Sequence, residues 1–231
     1  MERHRVPGVA IGLYDGEEEY VEGFGVTSVE NPLRITPETL FQIGSTTKTL
    51  TGTAIMVLVE RGVLDLDEPV RTYLPDLRLS DEEVAREVTT RHLLTHVGGW
   101  VGDVFESTGD GDDALERSVK RIADTQQLTP LGEVFSYNNS AFYLAGRVVE
   151  VLSGKTFEAA ARELVLDPLG MDESFFFPAE VMTRRFAVGH LVKNGEPTIS
   201  RPWALPRNFA PAGGPSFQRT RPDALRSVPP R

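Results

Sequence analysis

A mixed α+β fold is what this sequence predicts, with antiparallel hairpins towards both ends and helices between them. Three observations carry that expectation. Residues 9–14 and 20–25 are β-rich runs flanking Asp15-Gly16, and residues 186–192 and 197–200 flank Asn194-Gly195; both dipeptides suit a tight turn. Between them, residues 141–152 carry apolar side chains at helical spacing and stop at Ser153-Gly154.

The other elements follow in order. Residues 41–44 read as a short extended lead-in. A helix then runs over 47–61, with Leu50, Ala54, Ile55, Leu58 and Val59 near helical spacing and Gly62 as its stop. Leu64-Asp65-Leu66-Asp67-Glu68-Pro69 breaks the chain before a short helical piece over 70–74. Residues 81–88 form a polar helix and 90–96 a second short one, and 98–113 is a loop rich in glycine and aspartate. Helices are expected over 114–124 and 157–164, with a turn at Leu131-Gly132-Glu133 and a break at Asp167-Pro168.

The chain of 231 residues can bury a sizeable core as one large domain or two lobes. Its net charge of −10 gives no sustained basic face, which argues against a nucleic-acid partner. With no cysteine there is no disulfide, thiolate metal site or cysteine nucleophile. Histidines at 4, 92, 96 and 190 lack metal-ligand spacing, so neither a metal nor a cofactor is expected. No apolar leader precedes the first strand and no run is long enough to span a bilayer, so the expected location is the cytoplasm, without membrane insertion.

Chemistry concentrates in Ser45-Thr46-Thr47-Lys48 and Tyr137-Asn138-Asn139. On one helical turn, Ser45 and Lys48 point to the same face. A serine alcohol is a weak nucleophile at neutral pH and needs a base within hydrogen-bond reach, a role a desolvated lysine can take. At a helix start, free backbone N–H groups favour developing negative charge. On the residues alone a plainer reading stays open: an N-cap serine with a surface lysine, Tyr137 as a core aromatic, Asn139 as a cap for the helix that follows. Trp100 and Phe105 either line a substrate cleft or anchor their loop, and His96 is read as a packing residue.

These motifs do not stand alone. Val6-Pro7-Gly8-Val9-Ala10-Ile11-Gly12, Leu93-Leu94-Thr95-His96-Val97-Gly98-Gly99, Phe135-Ser136-Tyr137-Asn138-Asn139-Ser140, Pro168-Leu169-Gly170-Met171 and Ala210-Pro211-Ala212-Gly213-Gly214 frame them in order. Over about residues 6 to 214 the chain resembles the serine β-lactamase-related hydrolases, nearest the class C β-lactamase, D-alanyl-D-alanine carboxypeptidase and esterase branch. The resemblance implies a β-lactamase/transpeptidase-like fold: an antiparallel sheet lobe packed by the first and last helices, a helical lobe over roughly 65–180, and a site in the cleft between them. It implies a small-molecule acyl substrate, an ester, β-lactam or D-amino-acid peptide, handled through an acyl-enzyme on Ser45. Lys48 or Tyr137 would serve as base, Asn139 would hold Lys48 and the substrate, and the Ser45 N–H would form half of an oxyanion hole. Trp100 is placed with the substrate-binding residues.

The chain departs from the family pattern at its C-terminus. The family continues to strands bearing a lysine or histidine followed one residue later by glycine. Here residues 215–231, dense in arginine and proline, read as a disordered tail beyond an incomplete 1–214 domain. The abrupt change suggests a shifted frame or truncated gene. Lys193-Asn194-Gly195 fits lysine-x-glycine but precedes Gly213-Gly214 and reads as a turn. Missing strands would leave sheet edges and an apolar face of the first helix uncovered, with weakened activity and self-association as expected consequences. A catalytically silent binding module and a nonfunctional fragment are the alternatives.

Overall fold

The computed structural model describes residues 1–203 and 205–213, with the backbone of 217–219. The chain divides into two compact units: Met1–Ile43, Leu166–Leu205 and Pro215–Arg231 in one, Gly44–Val165 and Pro206–Gly214 in the other.

The first unit holds the strands. β1 (Gly8–Tyr14) and β2 (Glu19–Gly25) pair antiparallel, Tyr14 opposite Glu19. The turn spans four residues rather than two, because Asp15 Oδ1 accepts from the N–H groups of Glu17 and Glu18 and closes a wider loop. One face of this hairpin carries Ile11, Leu13, Tyr20 and Phe24, all exposed. β5 (His190–Lys193) and β6 (Glu196–Ile199) form the second hairpin. Asn194 and Gly195 both adopt positive φ, at 53° and 81°, the backbone that a two-residue turn between twisted strands requires. Lys193-Asn194-Gly195 is thus a turn.

β3 (Leu40–Gln42), β4 (Ser174–Phe175) and β7 (Phe217–Arg219) form a three-stranded sheet with β7 in the middle. Leu40 pairs with Arg219, and Phe175 with Phe217. The expected disordered tail is therefore interrupted: residues 217–219 pair with β3 and β4, while Leu40 of β3 also bonds Arg185 and Ala187 through its backbone. The rest of 220–231 lies outside the described residues. Leu40, Phe175 and Val181, the last on α7 (Pro178–Val181), make a small core that Phe186 and Trp203 cover.

The second unit is helical. α5 (Asn139–Ser153) is its axis and buries ten residues, among them Phe142, Tyr143, Leu144, Val148 and Val149. A helix apolar on most of its circumference must be surrounded, and α1 (Thr47–Glu60), α3 (Thr90–Leu94), α4 (Ala114–Ile122) and α6 (Phe157–Ala161) pack on it. α2 (Glu82–Glu87) packs on the 3-10 turn Val70–Thr72 and starts at Asp81, whose carboxylate accepts from the N–H groups of Glu83 and Val84. Gly154, at φ 69°, ends α5 in the left-handed conformation expected of its sequence.

The helical lobe starts earlier than 65. α1 belongs to this unit, burying Ala54, Ile55 and Leu58 and packing on α5 and α6. The reason is polar as much as apolar. Thr51 Oγ1 donates to the Pro211 carbonyl at 2.7 Å, and Lys48 Nζ to the Ala212 carbonyl at 2.5 Å, tying α1 to 211–212. Gly146 opens the other side of that segment: a β-carbon there would sit 2.3 Å from the Pro211 ring.

Candidate active site

The 3-10 turn Gly44–Thr46 leads into α1, putting Ser45 just before the helix with its side chain exposed. Lys48 lies one turn on, only 7% exposed. Its Nζ lies 3.3 Å from Ser45 Oγ, 2.7 Å from Asn139 Oδ1 and 2.5 Å from the Ala212 carbonyl. Asn139 Nδ2 donates to Asp103 Oδ1 at 2.7 Å. A carboxylate only accepts, so Asp103 fixes the amide with its oxygen towards Lys48. Three acceptors around one nitrogen match the three N–H bonds of an ammonium; a neutral amine has two.

Tyr137 precedes α5, half-exposed, with Lys48 Nζ 4.8 Å from its ring centre. Burial pushes its phenol upward. Hydrogen bonding with Lys48 and Ser45, together with the Lys48 charge, outweighs that and leaves the phenol below its ordinary value; the Asp103 charge opposes the shift. Ser45, Lys48, Tyr137 and Asn139 are thus brought together, all within the helical unit.

Trp100 is not with them. It is 2% exposed, so the expected substrate-lining role gives way to an anchoring one. Its Nε1 donates to Ser140 Oγ, Ser140 Oγ donates to Asn138 Oδ1, and Asn138 Nδ2 donates back to the Trp100 carbonyl, closing a buried ring of polar contacts. Gly98 makes room for the indole, since a β-carbon there would lie 2.4 Å from it. Phe105 is the exposed aromatic of this loop, edge-on to Phe209.

The cap of α5 is Asn138, not Asn139: Asn138 Oδ1 accepts from the Ala141 N–H at 2.7 Å. That frees Asn139 for Lys48. Two adjacent asparagines allow either assignment in the sequence, and only burial separates them. Asn138 is 1% exposed, and its own N–H is taken by His96 Nδ1 at 3.0 Å. Asn138→Ala removes the cap and leaves the Trp100 carbonyl and Ser140 hydroxyl short of partners. It is expected to cost about 2 kcal/mol in a denaturant titration.

Asp103 and Asn138 escaped sequence reasoning, one in a loop of many acids, the other beside a motif residue. His96 does more than fill space. At φ 61°, it stacks on Tyr137 with ring centres 4.5 Å apart and supports that residue's ring.

Burial first, and the Lys48 charge second, hold His96 below the usual histidine range; burial does the same for His92. Each Nδ1 accepts a backbone N–H, from Asn138 and Thr89, which a proton there would expel. The unfolded chain therefore binds protons first, and stability falls as pH drops below about 6.5. Unfolding midpoints taken between about pH 7.5 and 5.5, above the ordinary carboxylate range, check this.

Among the described residues, no group of three or more His, Asp or Glu is gathered to hold a metal ion, and no helix is long and apolar enough to cross a membrane.

The Beta-lactamase family profile matches residues 1–216. The chain belongs to the β-lactamase family. Among its relatives, penicillin-binding protein 4 of Amycolatopsis lactamdurans is 38% identical over 212 residues, covering 91% of this chain and 56% of that protein. Esterase EstB of Burkholderia gladioli is 35% identical over 215 residues, covering 87% of this chain and 54% of the esterase. A solved structure, the octameric penicillin-binding protein homologue from Pyrococcus abyssi, superposes with a TM-score of 0.78 at 31% identity, over 94% of this chain and 50% of that one. This β-lactamase-family chain has the β-lactamase/transpeptidase-like fold and spans about half the length of these relatives.

Proposed function

We propose that this chain is a serine hydrolase acting by acyl transfer on an ester, β-lactam or D-amino-acid peptide. The observation that carries the reading is the 3.3 Å approach of Lys48 Nζ to Ser45 Oγ in a site that also lowers the Tyr137 phenol. Ser45 Oγ attacks the carbonyl carbon while its proton passes to the Tyr137 phenolate. The tetrahedral oxyanion meets the Ser45 N–H, an interaction worth about 3 kcal/mol per donor. Collapse breaks the bond to the leaving group, which takes the proton back from Tyr137 and leaves an ester on Ser45. Water then attacks that ester, giving its proton to Tyr137; collapse breaks the bond between the acyl carbon and Ser45 Oγ, which takes the proton back from Tyr137, and the acid leaves.

In this reading Lys48 is the fixed cation rather than the base. Asn139 Oδ1 and the Ala212 carbonyl both demand donors from it, and its charge favours the phenolate. The relatives named as a penicillin-binding protein and an esterase support acyl transfer and leave the acyl group open.

Turnover of an activated ester, a β-lactam and a D-alanyl-D-alanine peptide by the wild type and by Ser45→Ala tests the proposal. Hydrolysis of at least one substrate, lost in the variant, supports it. Saturable binding without turnover points to a silent binding module; neither points to an inactive fragment. Association through the exposed hairpin face of Ile11, Leu13, Tyr20 and Phe24 belongs to the same proposal, and sedimentation velocity of Leu13→Glu against the wild type checks it.

A further inference from the structure

The loop over 98–113 carries several acids, and most are neutralised. Glu106 pairs with Arg121, Asp112 with Arg207 and Asp113 with Arg117. Asp110 and Asp103 have no such ion pair among the described residues, and of the two it is Asp103 that touches a residue of the site. It is exposed, and among the described residues it has no cationic partner; its contact is the Asn139 amide. The Ser140 N–H, bonded to the Gly102 carbonyl at 2.9 Å, holds this part of the loop against the start of α5. Three hydrogen bonds, of 3.3, 2.7 and 2.7 Å, link Ser45 Oγ through Lys48 and Asn139 to the Asp103 carboxylate. An anion with no cationic partner among the described residues thus stands three hydrogen bonds from the reacting alcohol.

Resting on the acyl-transfer reading above, the geometry points to Asp103 as a specificity-determining residue that favours acyl donors bearing a cationic group near the carbonyl and disfavours those bearing a carboxylate. Lys48, the nearby cation, is buried with its acceptors already in place, so it has no free N–H to offer a substrate carboxylate. An ammonium on the acyl side would instead meet Asp103, an exposed oxygen acceptor that no cation pairs with among the described residues. The charge acts at the site: it opposes the lowering of the Tyr137 phenol and adds to the upward push that burial gives Tyr143. Among amino-acid derivatives, this selects a free amino group over an acylated or carboxylated one.

Asp103→Asn removes the charge and keeps an oxygen able to accept from Asn139. The substrates are two p-nitrophenyl esters of one shape: trimethylammonioacetate, which is cationic, and 3,3-dimethylbutyrate, which is neutral. The quantity read is the cationic-to-neutral ratio of kcat/KM, which cancels any common effect of the variant on Asn139. The wild-type ratio should exceed that of Asp103→Asn about fivefold at low salt, as expected of an exposed charge pair, and converge on it in about 1 M salt. Equal ratios would overturn the proposal and leave Asp103 a positioning residue for Asn139, with acyl transfer untouched. Should the wild type turn over neither ester, NMR titration with the two corresponding amides decides. Tighter binding of the cationic amide, lost in Asp103→Asn, upholds the subsite and sinks acyl transfer; equal binding sinks the subsite.

Discussion

Lys48→Ala is expected to lower kcat/KM on an activated ester about a thousandfold, with most of the loss in kcat. Among the described residues, the Lys48 Nζ is the cation placed on Ser45 Oγ, and it also bonds Asn139 and the Ala212 carbonyl. Its removal strips three things at once: the charge that favours the Tyr137 phenolate, the orientation of the serine alcohol, and the tie between α1 and 211–212. The first two act as the proton leaves oxygen, so the effect falls on the transition state rather than on substrate binding. Structural damage has a separate readout. Thr51 still bonds the Pro211 carbonyl, so the helical unit keeps an anchor there and far-UV circular dichroism should remain that of the wild type. Arginine is no substitute, because its planar fork cannot meet three converging acceptors as an ammonium does. Steady-state kinetics of both variants check the claim; an alanine variant retaining more than about a tenth of wild-type kcat would remove Lys48 from the chemistry.

Tyr137→Phe should cost about a hundredfold or more in kcat/KM and erase the acid limb of its pH profile. The ring would stay, since stacking on His96 does not need the hydroxyl. What goes is the one acid–base group in the site whose phenol is shifted towards ionisation. Below its folded pKa the phenol is protonated and cannot accept from Ser45, so activity rises with pH through that value. The sign of each neighbour follows. Lys48 lowers the phenol and Asp103 raises it, so Asp103→Asn should move the limb to lower pH. A limb that persists in Tyr137→Phe would assign it to another group and return the base role to Lys48.

Much of this site was legible because its chemistry is local. Ser45 and Lys48 need only one helical turn to meet, and the apolar spacing of 47–61 specified that turn. Asn139 reaches Lys48 from 91 positions away, a contact the sequence offers only through family order. The misreadings have physical causes. A tryptophan in a glycine-rich loop suits a substrate-facing surface and an anchor equally; the polar ring through Ser140 and Asn138 decides for the anchor. Residues 217–219 are indistinguishable from tail in the sequence, because a three-residue strand has no periodicity of its own and its place depends on partners at β3 and β4. Nothing in a loop rich in glycine and aspartate marks Asp103; its contact with the Asn139 amide does.

Acyl transfer as proposed requires Ser45 Oγ to be the atom that accepts the acyl group. The most direct measurement is peptide-level mass spectrometry of the folded protein after treatment with a fluorophosphonate. One phosphonyl group should be found on Ser45, with Lys48→Ala labelling far more slowly. A folded protein that takes no label, or a label that maps elsewhere and survives Ser45→Ala, would contradict it.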